Sequence, residues 1–274
     1  MLPRLIFGCA AFALLTGAAP GLNVVVLDPG HGGTNTGALA RATGGWEKAN
    51  TLVITRLVAK HLRDAGVTVF LTRESDVDMA LADRVKYANA HRADVFVSIH
   101  LNSTEKAGPV GHETFFLALE GSDEAARRLV KFENAEGQGS VLAETRVAGE
   151  SGDREDVSGI LLDLTQSRAH EDAQFLAAAI EKRLTAQSPF RFRGVLQAPF
   201  VVLMGAAMPA VVVESGFLNH PEEGKFVTSA EGHARIAQGI ADGILDFGRL
   251  VLAGRKALAP IPTGPTGAPL PDLP

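Results

Sequence analysis

The stretch Asn23-Val24-Val25-Val26-Leu27-Asp28-Pro29-Gly30-His31-Gly32-Gly33 decides how the chain is read. Its β-branched and apolar run has the composition of a strand buried on both faces. The residues that follow set one histidine among glycines, with almost no side-chain bulk around it. An imidazole at the carboxyl end of a buried strand stands where open α/β sheets bind their ligands. A metal ion is the partner that suits it.

A second run, Ala93-Asp94-Val95-Phe96-Val97-Ser98-Ile99-His100, ends the same way and leads into Leu101-Asn102-Ser103. The other six histidines (His61, His91, His112, His170, His220 and His233) lack this placement and read mostly as solvated surface residues. A hydrolytic zinc takes three protein ligands, commonly two histidines and a carboxylate. Glu47 is the acid best placed to complete the set. It follows the glycine-containing loop Thr34 to Gly45 and opens a helix, Glu47 to Asp64, whose Ile54, Val58 and Leu62 repeat at i, i+4 with Leu57 beside them. Taken alone, Glu47 reads equally as an acid complementing the helix dipole. A third run, Pro209-Ala210-Val211-Val212-Val213-Glu214-Ser215-Gly216-Phe217, ends on a carboxylate. An acid closing three valines is costly to bury without compensation, which favours an active-site base over a capping group.

Together, DPGHGG, a Glu opening the next helix, SIH-x-N and VE-x-GF resemble the zinc-dependent N-acetylmuramoyl-L-alanine amidases of the bacterial cell wall, the Amidase_3 type. The likeness runs in order from about Val24 to Phe247 and includes Leu71-Thr72-Arg73, Arg84 to Ala90, and Gln197 to Leu203. It implies that His31, Glu47 and His100 bind zinc and that Glu214 is the catalytic acid/base. Asn102, Arg73 and Gln197 are candidate substrate or supporting residues; Arg73 could instead pair with Asp76 or Asp78. Two departures, His220 before Pro221 and Leu101 after His100, touch no implied ligand.

The chain has 274 residues, is 46% hydrophobic and carries a formal charge of −5, enough for one full core and without a basic footprint for nucleic acid. Strands are expected at Asn23–Leu27, Val67–Thr72, Ala93–His100, His112–Leu119, Phe200–Met204 and Ala210–Glu214, and helices at 47–64, 81–91, 157–187 and 231–252. Alternating strands and helices predict a single α/β domain: a twisted, mostly parallel sheet of about six strands, helices on both faces, and the zinc site at the carboxyl ends of strands. Arg4, an apolar stretch Leu5 to Leu15, and small residues to Ala19 read as a signal peptide over 1–18, too short to span a bilayer. Its removal takes away the single Cys9 and sends the domain, 19–252, to the periplasm. The Pro- and Gly-rich residues 253–274 read as a disordered tail.

Residues 120–156 exceed what a minimal hydrolase needs. Ser122 opens a helix, Asp123 to Glu136, with Ala125, Leu129 and Phe132 on one face, Ala126 and Val130 beside it, and Glu133 on the apolar side. A glycine-containing acidic linker follows. The helix reads as a surface element or, by the resemblance to division-associated periplasmic amidases, as an autoinhibitory lid whose Glu133, or else Glu136, fills the open zinc position. A silenced enzyme needs a partner that prefers the open state; the resemblance implies a periplasmic activator with a degenerate metallopeptidase-like domain. The expected reaction is cleavage of the amide between N-acetylmuramic acid and L-alanine of peptidoglycan. The rivals are a zinc peptidase acting within the stem peptide and an inert wall-binding or regulatory module.

Overall fold

The computed structural model describes residues 21–104, 108–135 and 168–252. The expected signal peptide, tail and linker, Glu136, and the first part of the 157–187 helix with Ile160, Leu161 and Leu164 lie outside them.

Six strands form one sheet: β1 (Val24–Pro29), β2 (Thr68–Leu71), β3 (Val95–Asn102), β4 (His112–Leu117), β5 (Phe192–Ala198) and β6 (Ala210–Phe217), in the order β2-β1-β3-β6-β4-β5. All neighbours are parallel except β4 and β6. Six helices are described: α1 (Glu47–Asp64), α2 (Leu81–Ala90), α3 (Glu124–Ala135), α4 (Arg168–Gln187), α5 (Pro221–Val227) and α6 (Ala230–Leu252). No described helix is long and apolar enough to cross a membrane.

Burial on both faces explains the uninterrupted apolar runs of the central strands. Val25, Leu27, Val95, Val97, Ile99, Val211 and Val213 face one core with Ile54, Val58 and Leu62 of α1, Leu176 and Ile180 of α4, and Ile240 and Ile244 of α6. Val26, Phe96, Phe115 and Val212 face the other, with Val85 of α2 and Leu129 and Val130 of α3. By the same alternation, Asp28, His100 and Glu214 emerge on the side of α2 and α3.

Three local expectations are corrected. Phe200–Met204 is not a strand: Val201–Leu203 is a buried 3₁₀ turn, and the sixth strand is β5. Pro199 ahead of the apolar run cannot donate to a ladder. On α3 the buried face is Ala126, Leu129, Val130 and Glu133, while Ala125 and Phe132 are exposed. The histidines expected at the surface include two buried ones: His112 pairs with Glu181 at 2.5 Å and His233 with Asn50 at 3.0 Å. His220 accepts from the amides of Glu222 and Glu223 and so caps α5 ahead of Pro221.

A buried ion pair ties α2 to β1. Asp28 accepts from Arg84 Nη1 at 2.8 Å, from Ser98 Oγ at 2.6 Å and from Thr72 Oγ1. Removing one partner of such a pair leaves an uncompensated charge and costs about 3–5 kcal/mol. Arg84→Ala is expected to lose about that much in urea unfolding, and Arg84→Lys should not restore it, since a point charge cannot replace a planar fork. An unfolding midpoint within error of wild type would show that the pair contributes nothing.

Candidate metal centre

The loop after β1 is held by two arginines. Arg84 donates to the carbonyls of Pro29 and His31 at 3.0 and 2.9 Å; Arg73 donates to those of Pro29, Gly30 and Lys48 at 3.0, 2.7 and 2.9 Å. Arg73 therefore pins the His31 loop to the start of α1 and is buried; Asp76 pairs with Lys48 instead, and Asp78 with Thr34. So anchored, His31 keeps a left-handed φ of 60°. Two glycines make room. A Cβ on Gly30 would lie 2.5 Å from the His100 ring, and one on Gly37 2.6 Å from His31 and 2.7 Å from Glu47.

His31 Nδ1 donates to Asn35 Oδ1 at 2.8 Å, which turns the Nε2 lone pair toward Glu47. Glu47 reaches over the sheet edge from the first turn of α1, accepting from Ala38 N at 3.0 Å and Leu101 N at 2.9 Å. Burial works to raise its pKa, but the neighbouring charge of His31 and the close contacts of His100 and His31 hold it well below the usual carboxylate range. His31 Nε2 lies 2.9 Å from Glu47 Oε1, and His100 Nδ1 lies 3.3 Å from the same oxygen. From the other side α3 brings Glu133 Oε2 to 3.7 Å from His31 Nε2 and 3.3 Å from His100 Nδ1.

These four residues are buried, and their ligand atoms lie within 4.8 Å of one another. Tetrahedral bonds of about 2.0 Å put ligand atoms roughly 3.3 Å apart, close to the separations seen here. Two imidazoles and two carboxylates converging in a buried cluster suit a divalent cation, and the nitrogen content suits zinc.

Glu214 stands in register beside His100 on β6, 1% exposed, and neither of its oxygens has a hydrogen-bond partner among the described residues. Burial, reinforced by the charges of Glu133, Glu47 and Glu113, raises its pKa well above the usual range. A carboxyl kept this basic beside a cation site is suited to take a proton from water. Its other neighbour across the sheet is Glu113, held by Asn102 Nδ2 at 2.8 Å and Arg193 Nε at 2.7 Å. The sequence reading missed Glu113 and Arg193, whose place follows only from the antiparallel β4–β6 register. Asn102 thus supports the site through Glu113. Gln197 does not join it: it lies three positions along β5 from Gly194, the partner of Glu113, and its backbone fixes Ser122.

Over residues 25–246 the chain matches the Amidase_3 family, described as N-acetylmuramoyl-L-alanine amidase. It is 35% identical over 230 residues to N-acetylmuramoyl-L-alanine amidase AmiA of Escherichia coli (strain K12), covering 83% of this chain and 76% of that protein. To AmiC of Neisseria meningitidis serogroup B it is 34% identical, over 81% of this chain and 51% of that one. The catalytic domain of the amidase CwlV from Bacillus (Paenibacillus) polymyxa var. colistinus superposes with a TM-score of 0.61 at 27% identity, covering 82% and 98% of the two chains. An amidase from Clostridium difficile 630 does so at 0.62 and 25%, covering 83% and 97%. A match that spans most of the chain and takes in every residue of the buried cluster shows that the protein belongs to the N-acetylmuramoyl-L-alanine amidase family, Amidase_3.

Proposed function

We propose that this chain is a zinc-dependent peptidoglycan amidase that hydrolyses the amide between the lactyl group of N-acetylmuramic acid and L-alanine of the stem peptide. The observation that carries the reading is Glu214, a buried carboxyl group without a hydrogen-bond partner among the described residues, set beside the His31, Glu47 and His100 cluster. The relatives' names supply the bond class. His31, Glu47 and His100 would hold the zinc ion, which when bound would act as a Lewis acid toward the scissile carbonyl and the attacking water. Glu214 takes the proton of that water and delivers it to the leaving nitrogen of L-alanine. Asn35 fixes the tautomer of His31, and the Arg73 and Arg84 clamps keep that ring in place as the carbonyl enters.

Glu133 shares the ligand cluster, so α3 closes the site in this state and the enzyme is autoinhibited. Opening requires a periplasmic partner that binds the displaced α3 or its linker better than the closed site does, since only differential affinity shifts the equilibrium. A degenerate metallopeptidase-like activator is the class that the family resemblance suggests. Export by residues 1–18 would bring the enzyme to the wall, where a role in remodelling and daughter-cell separation follows.

His31→Ala and His100→Ala are expected to drop bound zinc from about one per chain to a small fraction and to abolish lysis. Metal analysis beside dye release from labelled peptidoglycan checks both, and a lytic His31→Ala protein would sink the assignment. Mass analysis of the released fragments reads the bond: free muramoyl ends and intact stem peptides are expected, whereas cuts inside the stem would make the enzyme a peptidase. A zinc-free wild type that releases nothing would leave a binding module.

A further inference from the structure

Arg193 is the bulged residue of β5. The β4–β5 ladder pairs His112 with Phe192 but Glu113 with Gly194, so Arg193 is the extra residue between them. Insertions of this kind re-aim a side chain, often next to an active site. Here the side chain turns to the face that bears Glu113 and Glu214. Its Nε donates to Glu113 Oε2 at 2.7 Å, and its guanidinium carbon lies 5.1 Å from the centre of the Phe217 ring. Glu113 is itself fixed from the other side by Asn102. The guanidinium is thus held along one edge by a carboxylate and across one face by an aromatic ring. Nη1 and Nη2 have no hydrogen-bond partner among the described residues, and the side chain keeps 19% of its exposure. Planar donors held in this way match a carboxylate better than any other anion of a peptide.

We propose that Arg193 binds a carboxylate of the peptide half of the substrate: the free α-carboxylate of the second stem residue, where that residue is linked onward through its side chain. The assignment rests on the amidase reading above. β5 lies two strand spacings from β6, roughly 10 Å, and Arg193 reaches back over Glu113 across part of that gap. With the leaving nitrogen of L-alanine at Glu214, the next residue's α-carboxylate lies about 6–7 Å along an extended chain, which brings it to the guanidinium. Arg193 then fixes the leaving group while Glu214 protonates it.

The test uses the zinc-loaded full chain in a Glu133→Ala background and two synthetic muramoyl-tripeptides, differing only in an α-carboxylate or an α-carboxamide on the second residue. With Arg193 intact, kcat/KM for the carboxylate substrate is expected to exceed that for the carboxamide by about 10- to 100-fold, carried mainly by KM. Arg193→Gln should erase that preference: the ratio of kcat/KM for the carboxylate over the carboxamide substrate should fall to within about threefold of one, whatever the rate on either. Equal loss on both substrates would overturn the proposal and leave Arg193 the structural task of neutralising Glu113. A preference that survives in Arg193→Gln would overturn it too, because the carboxylate would then be read elsewhere. Failure to cleave either substrate with Arg193 intact would instead overturn the amidase reading, and this assignment with it.

Discussion

Glu214→Gln is expected to keep its zinc and to lose peptidoglycan hydrolysis by about 10²- to 10⁴-fold, the range that a positioned general acid/base contributes. The split between the two readouts is the content of the prediction. Zinc is assigned to His31, Glu47 and His100, and Gln at position 214 occupies the same space without a transferable proton. The residual rate should no longer depend on pH through the carboxyl at position 214. Metal analysis paired with dye release checks it, and a variant with more than about a tenth of wild-type activity would remove Glu214 from the chemistry.

The same substitution carries a second, independent consequence for the metal-free protein. The folded pKa of Glu214 stands well above its ordinary value of 4.5, because burial and the charges of Glu133, Glu47 and Glu113 oppose ionisation. A group shifted upward in this way costs nothing below its unfolded pKa. The penalty grows as pH rises from about 4.5 toward the folded pKa, where the unfolded chain sheds a proton that the native one retains. Glu214→Gln should therefore melt higher than wild type at pH 7, and the difference should vanish near pH 4. For a domain of this size each 1 kcal/mol is worth about 2–4 °C in Tm. Lower melting at pH 7 would mean that Glu214 stabilises the fold, and an active-site reason for burying it would no longer be needed.

Most of the architecture was legible because the central strands are buried on both faces. β1, β3 and β6 appear in the sequence as unbroken apolar runs, and an ionisable residue closing such a run stands out; that contrast located His31, His100 and Glu214. Helix α1 was legible to its bounds, since its buried stripe of Ile54, Val58 and Leu62 leaves one register for docking. Edge elements were not. β5 carries Arg193, Gly194 and Gln197 within seven residues and is absent from the expected strands, whereas the apolar Val201–Leu203, wound into a turn, reads as a strand. Local composition reports burial; the hydrogen-bond partner decides between strand and turn. The same limit hid Glu113 and Arg193, which acquire their place from a ladder between segments 80 positions apart. Arg73 was legible as a supporting residue but not by its partners: it is held by the carbonyls of Pro29, Gly30 and Lys48 and makes no pair with Asp76 or Asp78.

Glu133→Ala is expected to raise the lytic rate of the isolated zinc-loaded chain by about 10- to 100-fold. Turnover scales with the fraction of molecules whose site is open, and on the proposed reading the carboxylate of Glu133 competes for the position that the substrate carbonyl and water must use. A charge-assisted contact of about 2–3 kcal/mol corresponds to roughly 30- to 150-fold in that equilibrium. The helix is anchored elsewhere as well. Leu129 and Val130 are buried against the second core, and Asn134 both donates to Pro199 O and accepts from Val201 N at 3.0 Å. The substitution therefore frees the ligand position without undocking α3, which sets the gain at the lower end of the range. Glu133→Gln separates charge from bulk. If the carboxylate closes the site, Gln should activate nearly as far as Ala, because a neutral amide is a poor zinc ligand; if the helix blocks by size alone, Gln should stay as quiet as wild type. Equal activity in wild type and Glu133→Ala would make Glu133 a buried acid of structural use only, and the enzyme would need no partner to open it.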